Sequence, residues 1–249
     1  VLAAALLPTM LIDLHVHSHL SRGCDLDPRA VVERAAALGL EGVAFTETNT
    51  QDGSDELFEL QVRTQLRIFV GLELATDRGQ FLCFFLRPEQ VPEPVQLWGS
   101  NREKPWSAAE CIPKVLSLGA VVVAARPYDR DFPTPALDQV LSVQGLSAVE
   151  GYNARVRQPA NDLAIEAAEK LGLPCVGGSD ARTALDEVGR GATFFRDRLT
   201  TQADLLAALR GKAYWPVMVG ELPRLGRPGE ARELERPRKK KVGFRGRFR

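Results

Sequence analysis

The sequence is poor in several residue types that would mark other classes of protein. Only four cysteines occur in 249 residues, Cys24, Cys83, Cys111 and Cys175, and no two form a CxxC pair. That spacing excludes a disulfide-stapled scaffold and a zinc knuckle, and it reads as reduced thiols in a cytoplasmic protein. No apolar run reaches the roughly 18 residues that a membrane span needs. Val1–Leu7 is apolar but has neither a basic flank nor a small-residue cleavage site, so it reads as an arm rather than a signal peptide, with Met10 as a natural start. No GxGxxG follows the first apolar strand and no phosphate loop occurs, which leaves dinucleotide and Walker-type nucleotide sites without support. Histidine is scarce too: the chain has three, His15, His17 and His19.

What is present is an ordinary globular composition, 45% hydrophobic and 26% charged. Fibres, coiled coils and wholesale disorder are excluded on that ground. The formal charge is zero, with 32 basic and 32 acidic residues, but it is unevenly spread. Residues 227–249 hold ten basic and three acidic side chains, a net +7, and residues 1–226 balance them at −7. Three parts follow: an arm over 1–9, one domain over 10–226, and a basic tail over 227–249. In the tail, Arg238, Lys239, Lys240 and Lys241 precede a run in which Phe244 and Phe248 alternate with Arg245 and Arg247. Basic groups neutralise phosphates and phenyl rings stack on bases, so nucleic acid is a candidate partner for this tail. An anionic membrane or a purely solubilising role stays open.

Between the two ends, apolar strands alternate with helices. Strands are expected at Leu11–His17, Leu40–Thr46, Leu66–Leu74, Phe81–Leu86, Ala120–Ala125, Ser147–Gly151, Pro174–Gly178 and Ala192–Phe195. Asp27-Pro28 should cap and open the first helix. Ser107 with Glu110, and Thr201 with Asp204, have capping-box spacing. Thr134-Pro135 should open a helix to about Val143, and Pro159–Leu171 should form another. Gln90–Pro105 reads as a loop. Asp77-Arg78-Gly79 looks like a hairpin turn, which would make Phe81–Leu86 antiparallel to its predecessor. The alternation predicts right-handed βα units around a mainly parallel sheet, closed or open.

Chemistry-bearing residues gather at the carboxyl ends of these strands. His15 and His17, and perforce His19 if the strand runs on, share one face at period two. Glu47, Glu73, Asn153 and Asp180 each follow a strand. In an α/β barrel such ends converge on one mouth. His15, His17, Glu73 and Asp180 would make a two-nitrogen, two-oxygen set for one divalent ion, zinc, manganese or iron. The bland alternatives are a hydrogen-bonded histidine pair, an arginine partner for Glu73, and a helix cap at Asp180.

Several segments carry a resemblance. Ile12-Asp13-Leu14-His15-Val16-His17-Ser18 with Ser21 and Gly23, Thr46-Glu47-Thr48-Asn49, Gly71-Leu72-Glu73, Ala125-Arg126-Pro127, Glu150–Arg155 and Gly178-Ser179-Asp180-Ala181-Arg182 resemble, in order, the motifs of the PHP family, the polymerase-and-histidinol-phosphatase metal-dependent phosphoesterases. The resemblance covers about residues 11–195. It implies a distorted (β/α)7 TIM-like barrel with metals at its carboxyl-terminal face. It also implies departures. Arg22 stands where the family has an acidic or histidine ligand, and Thr48, Arg126 and Arg182 occupy histidine positions. What remains is the ligand set of one metal, His15, His17, Glu73 and Asp180, in place of a cluster of two or three.

Arg22, Arg126 and Arg182 would then line the mouth and bind phosphate, since a guanidinium matches phosphate oxygens. Glu47, His19 and Asn153 are the candidates for proton transfer and substrate contact. Two readings follow. One is a single-metal phosphoesterase acting on a phosphorylated small molecule or nucleotide. The other is a catalytically inactive PHP-like binding or structural protein that contacts nucleic acid through its tail. Arg182 separates them: aimed at phosphate beside a metal, it favours hydrolysis; paired with Asp180 and Glu73, it favours binding.

Overall fold

The computed structural model describes residues 9–100 and 104–219. Residues 1–8 of the arm, the last residues of the expected domain from 220 and the basic tail lie outside the described residues. In chain order the elements are β1 (Met10–Val16), α1 (Pro28–Ala37), β2 (Gly42–Thr48), α2 (Ser54–Val62), β3 (Arg67–Thr76), β4 (Gly79–Phe84), α3 (Pro94–Trp98), α4 (Ala108–Ser117), β5 (Val121–Ala125), β6 (Leu146–Asn153), α5 (Gln158–Leu171), β7 (Cys175–Gly178), β8 (Gly191–Phe195), α6 (Gln202–Gly211) and β9 (Tyr214–Met218). The strands form one sheet in the order β7-β6-β5-β4-β3-β2-β1-β8-β9. It curls into a nearly closed barrel with the helices outside, a distorted barrel of the expected kind. No helix among the described residues is long and apolar enough to cross a membrane.

Local chemistry explains most of these elements. Asp27 Oδ1 accepts from the backbone N–H of Arg29 at 2.7 Å and of Ala30 at 3.2 Å, and Pro28 needs no partner at the first helical position. Thr201 and Asp204 form the reciprocal capping box at α6. β3 and β4 are an antiparallel hairpin around Asp77 and Arg78, and β4 also runs antiparallel to β5.

Three expectations need correction. Ser107 sits at the N-cap of α4 but its side chain caps nothing; Asp77 Oδ1 takes the first free N–H, that of Ala108, at 2.8 Å. The segment after Thr134-Pro135 is only a 3₁₀ helix, Leu137–Ser142. Thr134 donates its hydroxyl to Thr76 O at 2.7 Å, and Leu137 has a left-handed φ of 47°, so a regular α-helix cannot start there. The stretch read as a loop contains the short helix α3. Two elements escaped the pattern altogether. In α2 only Ser54 and Leu57 are buried, too few to make an apolar stripe. β9 contains Pro216, which is tolerated because the strand lies at the edge of the sheet.

Closure of the barrel depends on polar groups rather than on a regular ladder. Gly177 N donates to Thr193 Oγ1 and that hydroxyl donates back to Gly177 O, both at 2.8 Å. Asp180 N donates to His15 O at 2.7 Å, and His17 N donates to Ala181 O at 2.9 Å. Asp13, buried inside β1, accepts from Ser179 N at 2.9 Å, Gly189 N at 3.0 Å and His15 N at 3.3 Å. Burial pushes the Asp13 carboxyl up to about 6, against the pull of these bonds. Gly178 is required here: a Cβ on it would lie 2.5 Å from His15 Cβ. The same packing that closes the barrel therefore seats the first histidine.

Replacing Asp13 with alanine strands three N–H groups where β1, β7 and β8 meet. Each buried orphan costs about 1–3 kcal/mol. The Asp13→Ala variant should lose about 3 kcal/mol or more in urea unfolding; an unchanged midpoint would remove Asp13 from the closure.

Candidate metal centre

Strand ends bring four of the predicted residues together. His15 lies near the end of β1 and His17 just beyond it, Glu73 lies in β3, and Asp180 follows β7. All four are completely buried. His15 Nε2 and His17 Nε2 are 3.1 Å apart. His15 Nε2 lies 3.3 Å from Glu73 Oε1 and 3.6 Å from Asp180 Oδ1. His17 Nε2 lies 3.7 Å from Glu73 Oε2 and 3.4 Å from Asp180 Oδ1. His15, His17 and Glu73 thus form a three-residue cluster able to hold a metal ion.

Two imidazole nitrogens at this separation cannot both present a bare lone pair. A proton or a metal ion must lie between them. A tetrahedral ion with bonds near 2.0–2.1 Å places its ligand atoms about 3.4 Å apart. The separations here, 3.1 to 3.7 Å, are of that size, so the donor set fits one ion.

A set of outer contacts orients the donors. Glu150 Oε1 faces His15 Nδ1 at 2.9 Å, and Glu150 Oε2 accepts from Asn153 Nδ2 at 3.0 Å and Arg126 N at 2.9 Å. Thr48 Oγ1 donates to Glu73 Oε2 at 2.6 Å. Second partners of this kind fix the imidazole tautomer and raise ligand basicity. The sequence reading quoted Glu150 only as part of a motif and missed this role. The contact spans 135 positions, and no spacing rule reveals it.

Arg126 and Arg182 point into the same carboxylates. Arg182 Nε donates to Asp180 Oδ1 at 2.7 Å and its Nη2 to Glu73 Oε2 at 2.9 Å. Arg126 Nη1 donates to Asp180 Oδ2 at 2.6 Å and its Nε to Gln80 Oε1 at 2.7 Å. The expectation of two arginines presented to phosphate therefore needs adjusting, because both are largely engaged by Glu73 and Asp180. Arg126 and Asp180 adopt left-handed φ values of 32° and 53°, conformations that cost energy outside glycine and persist where neighbours enforce them.

The remaining predicted residues lie apart from this cluster. Arg22 and His19 are exposed in the turns after β1, which ends at Val16, so strand alternation does not reach His19. Glu47 is buried beneath that turn. Its oxygens accept from Ser18 N at 3.1 Å, from Ser18 Oγ at 2.7 Å and from Ser21 Oγ. Asn153 is buried and holds Glu150.

The electrostatics are those of a crowded, dry site. Burial disfavours charge on His15, yet the Glu150 and Asp180 carboxylates push it up to about 10. Burial and the Arg182 guanidinium push His17 down to about 4. Burial also works against ionised Glu73, but Arg182 and His17 hold it well below the usual carboxylate range. Asp180 is lowered likewise, by His15 and Arg126 against its burial.

Comparison with known proteins matches this geometry. The PHP domain family matches residues 13–124, and the family described as PHP-associated matches residues 158–213. The chain carries a PHP domain over residues 13–124. An uncharacterized protein of Methanocaldococcus jannaschii is 28% identical over 155 residues, which are 58% of this chain and 82% of that one. A phosphoribosyl 1,2-cyclic phosphate 1,2-diphosphodiesterase of Eggerthella lenta is 34% identical over 100 residues, 38% of either protein. Among solved structures, PsfC from Pseudomonas syringae superposes with a TM-score of 0.62 at 20% identity, covering 84% of this chain and 91% of that chain. An amidohydrolase from Chromobacterium violaceum, holding sulfate and no metal, gives 0.56 at 18% identity, covering 84% and 98%. These two likenesses establish the shared fold. In this PHP domain the three-residue cluster of His15, His17 and Glu73 lies beside the guanidiniums of Arg126 and Arg182.

If Glu150 orients His15 for a metal, Glu150→Gln should weaken binding of zinc or manganese by about 10–100-fold in competition with a chromophoric chelator. An affinity equal to that of the parent would contradict the role.

Proposed function

We propose that this PHP domain hydrolyses a phosphate ester with one divalent ion, zinc, manganese or iron, held by His15, His17, Glu73 and Asp180. The observation that carries this reading is the set of 3.1–3.7 Å separations of the two imidazole nitrogens from each other and from Glu73 and Asp180. The arginines are compatible with an ion. Glu73 turns Oε1 toward His15 and shares it with Arg182 Nη2 at 3.2 Å, and turns Oε2 toward Arg182 and Thr48. Asp180 turns Oδ2 toward Arg126 and shares Oδ1 between the histidines and Arg182. Each carboxylate can therefore meet an ion and a guanidinium at once.

Such an ion supplies Lewis-acid polarisation of the phosphate and a bound water of lowered pKa. The chain's own residues do the rest. Glu150 and Asn153 hold the His15 ring. Thr48 holds Glu73. Arg126 and Arg182 keep both carboxylates ionised at any ordinary pH. Guanidinium N–H groups not engaged by carboxylates can receive phosphate oxygens at the rim. Charge supports an anionic substrate: Glu73, Asp180 and Glu150 against Arg126 and Arg182 leave one negative charge, and a divalent ion turns that into one positive charge. A phosphorylated small molecule or nucleotide is the substrate class. Its phosphoester chemistry is that named for the Eggerthella lenta relative.

One observation favours the second reading. Arg182 bridges Asp180 and Glu73, the arrangement expected of a binding protein whose carboxylates are neutralised without an ion. The tail with Lys239–Lys241 would then supply the contact with nucleic acid.

Metal content of the protein, purified without chelator or a histidine tag, decides between them. About one ion per chain is expected, lost in both His15→Ala and Asp180→Ala, with hydrolysis of bis(p-nitrophenyl) phosphate falling by about 100-fold or more. No ion, and no uptake on adding zinc, manganese or iron, would overturn hydrolysis in favour of binding. Arg182→Gln removes a cation from beside two ligands and should raise metal affinity by about tenfold.

A further inference from the structure

The turn after β1 folds back on the end of β2, where Ser18, Ser21 and Glu47 are all buried. Ser21 N donates to Ser18 O at 2.9 Å, and both serine hydroxyls donate to the Glu47 carboxylate. Glu47 has no printed contact with the four metal donors. It reaches them through Ser21, whose hydroxyl stands beside His17.

The protons around His17 can be placed one by one. A hydroxyl has one proton and two lone pairs. Ser21 directs its proton to Glu47 Oε2. One lone pair of Ser21 Oγ accepts from Thr48 N at 2.8 Å, and the other faces His17 Nδ1 at 3.4 Å. Thr48 is arranged alike: its hydroxyl proton goes to Glu73 Oε2 at 2.6 Å, and its oxygen faces His17 Nδ1 at 3.5 Å. Both hydroxyls beside Nδ1 can therefore only accept, because a carboxylate holds each proton. The two separations are long for hydrogen bonds, yet their sense is fixed: the arrangement suits a proton on Nδ1 and leaves a lone pair on Nε2. On the other side of the ring, Nε2 faces His15 Nε2 at 3.1 Å and Asp180 Oδ1 at 3.4 Å. That carboxylate pulls the opposite way and would draw the ring proton to Nε2. A proton there would block the atom that meets an ion.

We propose that Glu47 and Ser21 are positioning residues for His17. Glu47 holds the Ser21 proton, so Ser21 accepts from Nδ1 and Nε2 stays free for the ion. The inference rests on the single-ion reading above and deepens it. The partner of one ring nitrogen decides which nitrogen of a histidine binds metal. Glu150 faces the His15 ring directly, whereas Glu47 acts on the His17 ring through a serine.

The test is a long-range proton–nitrogen NMR correlation on the metal-free, nitrogen-15-labelled full chain at neutral pH. With three histidines in the chain, His17 is assigned by the loss of its signals in His17→Gln. The parent should show His17 protonated at Nδ1. In Glu47→Gln the amide can donate to Ser21 Oγ, which frees the serine proton to turn toward Nδ1. His17 should then shift to the Nε2-protonated form, and zinc affinity should fall by about 10–100-fold in competition with a chromophoric chelator. Ser21→Ala removes the acceptor and should shift the ring the same way, so it reports even where Glu47→Gln fails to fold. A role confined to holding the turn would lower stability and leave the tautomer unmoved. An Nε2-protonated His17 in the parent, or an unchanged tautomer in the variants, would overturn the proposal. The expected tautomers in a parent that binds no zinc would support the part played by Glu47 and Ser21 and overturn the single-ion reading.

Discussion

The structure turns on a charge balance among buried groups. Glu73, Asp180 and Glu150 are completely buried, and each lies within 3.6 Å of a His15 ring nitrogen. Isolated carboxylates would be costly there, and each must be paired, hydrogen-bonded or bound to a cation. Arg126 and Arg182 answer two of the charges. The third is answered between the two imidazoles, by a proton on the pair or by an ion. This requirement fixes which side chains occupy the strand ends. It also explains why Thr48 and Asn153, both neutral hydrogen-bonding residues, stand next to the carboxylates rather than further charges.

The same constraint joins fold to function. The barrel is closed by groups that also build the cluster: Asp180 N reaches His15 O, Asp13 collects N–H groups from three segments, and Gly178 leaves room for His15. Losing the closure would displace the histidines. Relative to a metal cluster of two or three ions, guanidiniums at the Arg126 and Arg182 positions supply fixed positive charge that needs no ion to be present. The mouth can therefore keep its carboxylates ionised whether or not an ion is bound.

Much of this was legible in the sequence because local rules dominate there. Apolar runs marked β1 to β8, Asp27-Pro28 and Thr201 with Asp204 marked helix starts, and polar residues at strand ends marked the mouth. The illegible parts are tertiary. Helix α2 buries Leu57 with little else, and β9 carries a proline that only an edge can accept. Ser107 lost its capping role to Asp77, thirty-one positions away from the N–H it binds. His19 looked like a third ring on one strand face, but the chain turns after Val16. The contact of Glu150 with His15 and the turning of Arg126 onto Asp180 join residues distant in sequence that no periodicity connects, whereas the pairing of Arg182 with Asp180 and Glu73 is one of the two arrangements the sequence left open.

X-ray absorption at the zinc edge, on protein loaded with one equivalent of zinc, tests the central claim most directly. The account predicts a single four-coordinate shell at about 2.0–2.1 Å made of nitrogen and oxygen donors, with outer-shell scattering from two imidazoles. A six-coordinate shell without imidazole scattering, or a second metal at close range, would contradict it.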